Sequence, residues 1–478
     1  MTDIFVKNGY VLTMQGEGVG MIEDGAVAIE GNTIAAVGKT DDLIGEYGGA
    51  EYVYDAKGKA VMPGFVDAHI HTGMSIMRGE GQDVPEIEWM IKTMGPFGRH
   101  TKPWHRVAAS KLGVLEAVKA GTTCFGEIGG SMANSAEKVF VPSGVRAHLA
   151  NTINEMGPGS RSDPDTPYIL YEDLGEKRLN ASIDFVEKWN GAAGGRITTM
   201  FSPQAADMLG EKLLLKVKEE ANKRGMMTHI HIAQGGREAR QVKARYGTTS
   251  VKFLDSIGFL DDTIIGAHCH QTEDSEVELL AKRGVRYVSC PSSIGIIDGI
   301  TPPLALYIMS GGISAGIGSD QASGNNCHNM LVEMKVAALL NKCRHRDPTL
   351  LPAWKMMRIA TLEGAQTLGI GDRIGSLEPG KKADLIMLNL KVPHMTPVLS
   401  RPVRNIAPNI VYSARGDEVE TVIIDGKVVI DDYKVLTMDE EAIIDDAQRA
   451  GVDMADAATE DYYKADSLLA RAAKKGLL

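Results

Sequence analysis

Residues 61–73 read VMPGFVDAHIHTG, an apolar run that ends in two histidines one residue apart. Side chains at i and i+2 of a β-strand leave the same face, so His69 and His71 aim at one region of space. Two neutral imidazoles converging in this way are half of a metal site. With 12 histidines in 478 residues, composition alone predicts about 0.3 such pairs. Three occur: His69/His71, His229/His231 and His268/His270. Chance does not account for them.

Outward from this stretch, short apolar runs alternate with helix-like segments. The runs include GTTCFGEI, GVRAHLANTI, RITTMFSP, MMTHIHIA, TIIGAHC, VRYVSCP and ISAGIGSD, and WHRVAASKLGVLEAVKAG is one of the intervening helices. Alternation of this kind marks βα units and a parallel sheet. Counted from FVDAHIH it yields eight strands, so the expected class is α/β, a (β/α)8 TIM-type barrel over 61–375. Both flanks read differently. Residues 1–60 and 376–440 carry short β-rich runs broken by Asn-Gly, Lys-Gly and Asp-Gly turns, which predicts one small β-sandwich built from the two chain ends. The Ala- and charge-rich stretch 441–478 is expected to be a helical tail.

Composition narrows the partners. The chain is 44% apolar and 24% charged, with a net charge of −11, which argues against nucleic acid and anionic membranes, since phosphates must be met by Lys and Arg. No apolar run approaches the roughly 18 residues that span a bilayer. The first residues, MTDIFVKNGYVLTM, lack the uninterrupted apolar stretch of a secretory signal. Five cysteines without zinc-ribbon spacing read as reduced thiols, mostly buried, and the expected location is cytoplasmic.

Chemistry in such barrels sits where the strands end. Four predicted strand ends carry His69 and His71; His229, His231 and Gln234; His268; and Asp320. Singly, a buried histidine at a strand end is more often a core residue, and an aspartate after Gly-Ser a turn or cap. Jointly, they suit one divalent cation on nitrogen and oxygen ligands with a position left for water, whose proton a nearby carboxylate and imidazole can take. His100, His105, His148, His345 and His394 fall in helices or loops and are expected to be structural. His270 is left unassigned, and a second metal site at Cys327–His328 is not expected.

The chain resembles the amidohydrolase superfamily in its cytosine-deaminase-like branch. The resemblance runs through PGFVDAHIHTGMSIMRGEGQDVPEIEWM, HIHIAQ, GAHC, GIGSDQASGNN, ATLEGAQTLGI and IGSLEPGKKADLIMLNL. It implies one Zn²⁺, with Fe²⁺ as the alternative, on His69, His71, His231 and Asp320; His231 is preferred over His229 because the ligand in that family lies three residues before an acidic position. It further implies His268 and Asp320 as the catalytic pair, a small heterocyclic substrate, and a homo-oligomer, dimer or tetramer.

Three positions depart from the pattern. Gln234 stands where these deaminases carry a proton-shuttling Glu, Gln204 where adenosine-type members carry His, and Ile294 where relatives often have Asn. With Gln204 and Gln234 as substrate-binding residues, these departures point away from adenosine- or S-adenosylhomocysteine-type substrates and toward s-triazine or melamine-deaminase-like chemistry, in which an electron-poor ring needs less acid assistance. The expected function is a metal-dependent aminohydrolase acting on an amino-substituted N-heterocycle. Removal of a halide or alkylthio group, or opening of a cyclic amide, is the alternative on the same site. A non-catalytic sensor that retained the barrel is the third.

Overall fold

The computed structural model describes residues 2–130, 132–157, 160 and 166–478. The barrel strands, numbered around it, are β1 (Phe65–Ile70), β2 (Thr122–Gly129), β3 (Arg146–Ile153), β4 in two pieces (Ile197–Thr199 and Ser202–Pro203), β5 (Thr228–Ile232), β6 (Ile264–His268), β7 (Arg286–Ser289) and β8 (Ala315–Ile317). All pairings within it are parallel. All six residues of β1 are buried, as a strand covered on both faces requires. The two arcs β1–β4 and β5–β8 join through bridges Phe201–Thr228 and Ala205–His231 on one side and Ile70–Asp320 on the other. The eight-stranded barrel expected from the alternation is therefore present.

The second closure is made by residues of the candidate site. Asp320 N–H donates to the His69 carbonyl at 2.9 Å, and His71 N–H donates to the Asp320 carbonyl at 3.0 Å. The chain reaches this approach through Gly318, where a Cβ would lie 2.5 Å from the His69 carbonyl oxygen. No side chain fits there. Barrel closure and the convergence of His69, His71 and Asp320 are thus one event.

The chain ends form a nine-stranded sheet. Its halves meet where Lys59–Pro63 runs antiparallel to Leu385–Asn389, and its core includes Ile4, Val6, Val27, Ile29, Leu385 and Met387. Buried Arg146, at the start of β3, joins barrel to sheet by donating to both oxygens of Asp384 (2.6 and 3.0 Å) and to Asp425 (3.0 Å). Burial alone would depress a guanidinium, but these carboxylates hold Arg146 above its ordinary range.

The C-terminal stretch is helical, with helices Glu440–Ala465 and Leu468–Lys474, yet it is no free tail. Met454 and Ala458 pack with Trp89, Met94 and Phe97. Asp453 accepts from His105 at 2.8 Å and from Lys102 at 2.6 Å, and Asp461 accepts from Arg99 at 3.0 Å. The helix therefore braces the segment 88–100, which overhangs the strand ends.

Candidate metal centre and active-site cavity

Four groups meet at the C-terminal rim of the barrel. The Nε2 atoms of His71 and His231 stand 3.4 Å apart. Asp320 Oδ1 lies 3.4 Å from His71 Nε2 and 3.6 Å from His69 Nε2. Ligand atoms about 2.0–2.1 Å from a metal and set at a tetrahedral angle stand roughly 3.4 Å from one another, so these separations suit a cation among them. The donor chemistry agrees. His69, His71 and His231 each offer a nitrogen to one small volume, and His69 Nε2 is buried with no hydrogen-bond partner. An unpaired buried acceptor facing other acceptors is costly unless a cation occupies the gap.

Outer contacts orient each ring. His71 Nδ1 donates to the Ile128 carbonyl and His231 Nδ1 to the Gln204 carbonyl, both at 2.7 Å, which turns the two Nε2 atoms toward each other. His69 Nδ1 meets His229 Nε2 at 3.0 Å. Burial holds His69 well below the ordinary imidazole range and His231 at about 4, leaving both neutral at pH 7, as ligands must be.

His268 closes the cluster, its ring 5.0 Å from that of His69 and stacked on His231 at 5.3 Å. Its Nδ1 has no partner, and burial pushes its pKa well below the usual range. The backbone here is strained: Ala233, His268 and Asp320, where β5, β6 and β8 end, have φ of 48°, 75° and 59°. Left-handed conformations in non-glycine residues cost about 1–2 kcal/mol each and collect at functional sites.

All the expected site residues converge, and several others take different parts. His229 shares an inward face with His231 but lies deeper and supports His69. His270 turns to Asp298 at 2.7 Å. Gln204 gives its side-chain oxygen to Asn154 Nδ2 at 2.7 Å, which leaves its amide N–H₂ to the cavity. Gln234 is half-buried on the cavity wall, its backbone N–H held by Glu238 at 2.9 Å. His328 sits between the hydroxyls of Ser75 (3.0 Å) and Ser319 (2.9 Å), and Cys327 joins no potential metal group among the described residues. Among the histidines expected to be structural, His148 pairs with Thr198 Oγ1 at 2.7 Å and His105 with Asp453. The five cysteines are free.

Two supporting residues escaped the sequence reading. Ser293 Oγ, from the helix after β7, donates to Asp320 Oδ2 at 2.7 Å. Fully buried Asp67 accepts the Ser319 hydroxyl (2.5 Å) and backbone N–H (3.0 Å), gripping the residue before Asp320. Asp67 precedes His69 by two, so the same alternation that singled out His69 and His71 also marks it. Nothing local marks Ser293.

Above the cluster opens a cavity of about 510 Å³, within the range of small-molecule sites. Its walls include His71, His231, His268, Asp320, Gln204 and Gln234. The stretch 153–170 that follows β3 falls partly outside the described residues, at 158, 159 and 161–165.

The amidohydrolase family profile matches residues 60–429. The chain belongs to this family. It is 37% identical over 455 residues to the 5'-deoxyadenosine deaminase of Methanosarcina acetivorans, covering 95% of this chain and 99% of that one. It is 36% identical over 450 residues to the 5-methylthioadenosine/S-adenosylhomocysteine deaminase of Pelotomaculum thermopropionicum, covering 94% and 98%. Among solved structures, an adenosine deaminase from Xanthomonas campestris with bound zinc superposes with a TM-score of 0.85 at 28% identity, covering 95% of this chain and 98% of that one. Atrazine chlorohydrolase from Arthrobacter aurescens, complexed with zinc, reaches a TM-score of 0.82 at 20% identity over 94% of this chain and all of its own, a likeness of fold. The similar sequences are deaminases named for adenosine-type compounds, despite Gln204, Gln234 and Ile294, and the likeness to the s-triazine enzyme is one of fold alone. The chain carries a His-rich potential metal site. No helix among the described residues is long and apolar enough to cross a membrane.

Proposed function

We propose that this family member is a metal-dependent aminohydrolase that releases ammonia from the exocyclic amine of an adenine-type N-heterocycle. The convergence of three imidazole nitrogens and Asp320 at the floor of a ligand-sized cavity carries the reading. His69, His71, His231 and Asp320 would hold one divalent cation, Zn²⁺ first and Fe²⁺ second. When bound, that cation supplies Lewis acidity, bringing the deprotonation of water into the neutral range.

The chain's own groups do the rest. Asp320, oriented by Ser293, accepts the proton of the attacking water and returns it to the departing amine. Neutral His268, stacked beside His231, steadies the charge on the attacking oxygen as it adds to the ring carbon. Gln204, its oxygen engaged by Asn154, donates N–H to a ring nitrogen. Gln234 offers the ring a hydrogen bond but no transferable proton, and this favours rings that stabilise negative charge themselves. That property also sustains a second reading on the same site, displacement of halide or alkylthio groups.

The test is ammonia release by metal-analysed protein across 5'-deoxyadenosine, 5'-methylthioadenosine, adenosine, guanine, aminopyrimidines and amino-triazines. Ammonia from a purine nucleoside, lost on chelation and restored by Zn²⁺ or Fe²⁺, supports the proposal. Silence with every amine, together with halide release from a chloro-triazine, replaces it with the second reading. Assembly as a homo-oligomer belongs to the same proposal and is read by light scattering.

A further inference from the structure

Asp320 faces the imidazoles with one oxygen and Ser293 with the other, so the direction of its carboxylate governs both of its parts. Two segments set that direction. The helix Pro291–Ile297, after β7, carries the Ser293 hydroxyl, and the chain around Ser319 leads into Asp320 itself. Neither segment supports itself. The helix has seven residues, and Cys290 at its N-cap gives it no side-chain cap. Beyond Asp320 the chain makes a single turn of helix, Ala322–Asn325. Helical pieces this short do not hold their own shape in water, so groups outside them must do it.

Glu333, in the first turn of the helix Met330–His345, reaches both. Its side chain is fully buried. One carboxylate oxygen, Oε2, accepts the Ser292 backbone N–H at 3.1 Å, and the other, Oε1, accepts from Asn325 Nδ2 at 3.0 Å. The first bond caps the helix Pro291–Ile297 from outside, at one of the N–H groups that a helix start leaves without an internal partner. The second fixes Asn325, whose Nδ2 also donates to the Ser319 carbonyl at 2.7 Å. One carboxylate thus ends next to Ser293 on one side and, through Asn325, next to Asp320 on the other. Its base is firm: Met330, Leu331, Met334, Ala337 and Ala338 of the same helix lie in the main core, and the Asn329 side chain caps that helix at Leu331 and Val332. A site is held in register when its supporting shell stands on a packed element of this kind.

We infer that Glu333 is a positioning residue, aiming the Asp320 carboxylate through Ser292–Ser293 and through Asn325–Ser319. This rests on the deaminase reading, in which Asp320 is both ligand and proton carrier.

Glu333→Gln keeps the volume but leaves one acceptor oxygen where two are used, and turns an N–H₂ toward a donor. It is compared with wild type, Asn325→Ala, which cuts one arm alone, Ser293→Ala, and the double variants that join Ser293→Ala to each. The readouts are zinc affinity by chelator competition, the visible absorption of Co²⁺-loaded protein, the urea midpoint, and kcat and KM for ammonia release from 5'-deoxyadenosine. Glu333→Gln is expected to lose about tenfold in zinc affinity and in kcat, with KM within about twofold and the cobalt bands shifted. Asn325→Ala should lose less in the same direction. Because Glu333 and Ser293 act on one carboxylate, the double variant Glu333→Gln with Ser293→Ala should lose less than the product of the two single losses. A Glu333→Gln protein with a lowered urea midpoint but unchanged zinc affinity, cobalt spectrum and kcat overturns the inference, and so do losses that multiply with that of Ser293→Ala. If Glu333→Gln fails to fold, Asn325→Ala decides by the same readouts, an unchanged cobalt spectrum and kcat overturning the inference. Absence of ammonia from the wild type overturns the deaminase reading instead, and zinc affinity with the cobalt spectrum still decides the part of Glu333.

Discussion

Replacing Ser293 with Ala removes one hydroxyl and leaves the rest of the site in place. Ser293 is 1% exposed, so bulk water does not take over its 2.7 Å bond to Asp320 Oδ2. A hydrogen bond to a charged group contributes about 1.5–3 kcal/mol, or roughly 10- to 100-fold. Removal of outer partners of metal ligands commonly costs a similar factor. Gln321, with its amide turned over, places a second donor 2.7 Å from the same oxygen. The expected loss therefore lies near the lower end, about tenfold in zinc affinity by chelator competition and in kcat/KM for ammonia release. Ser293→Thr, which keeps the hydroxyl, should recover most of it. A change below about twofold in both quantities for Ser293→Ala would show that Asp320 needs no such orientation, and the account of its proton transfer would fall with it.

Asp320→Asn should leave the circular dichroism and unfolding midpoint near wild type while removing turnover; activity at a tenth of wild type or more would sink the assignment of Asp320 as the proton acceptor. Gln234→Glu should extend activity toward less electron-poor purines and pyrimidines, and an unchanged substrate profile would remove Gln234 from the mechanism. His148, buried at 6% exposure, is held neutral down to a pKa of about 4 by desolvation, against about 6.5 unfolded. Its contribution is thus present above pH 6.5 and lost as pH falls toward 4, by about 3 kcal/mol in total. The stability gap between metal-free wild type and His148→Gln in urea should narrow by that amount between pH 7.5 and 4; a constant gap would mean that His148 titrates normally.

How far the sequence reaches into this structure depends on the range of the interaction that does the work. Strand alternation is local, and so His69, His71, His231 and their common face are legible from spacing. Depth along the barrel axis is not local. His229 and His231 share a face, but which joins the potential metal group and which buttresses His69 is decided by how β5 staggers against β1. Ser293 and the helix Glu440–Ala465 are further from legibility, since their roles arise from contacts with Asp320 and with segment 88–100, and no periodicity encodes those. The weight of Gln204 as a pointer to substrate is limited for a related reason. Spacing presents Gln204 and Gln234 as lone substitutions, as if each side chain faced the ring in isolation. In the fold, Gln204 does two other things at once: its carbonyl fixes the tautomer of His231, and its amide oxygen is bound by Asn154. A residue so engaged can replace a histidine while still holding a nucleoside ring by its remaining N–H groups. A Gln at that position is therefore weak evidence against an adenine-type substrate.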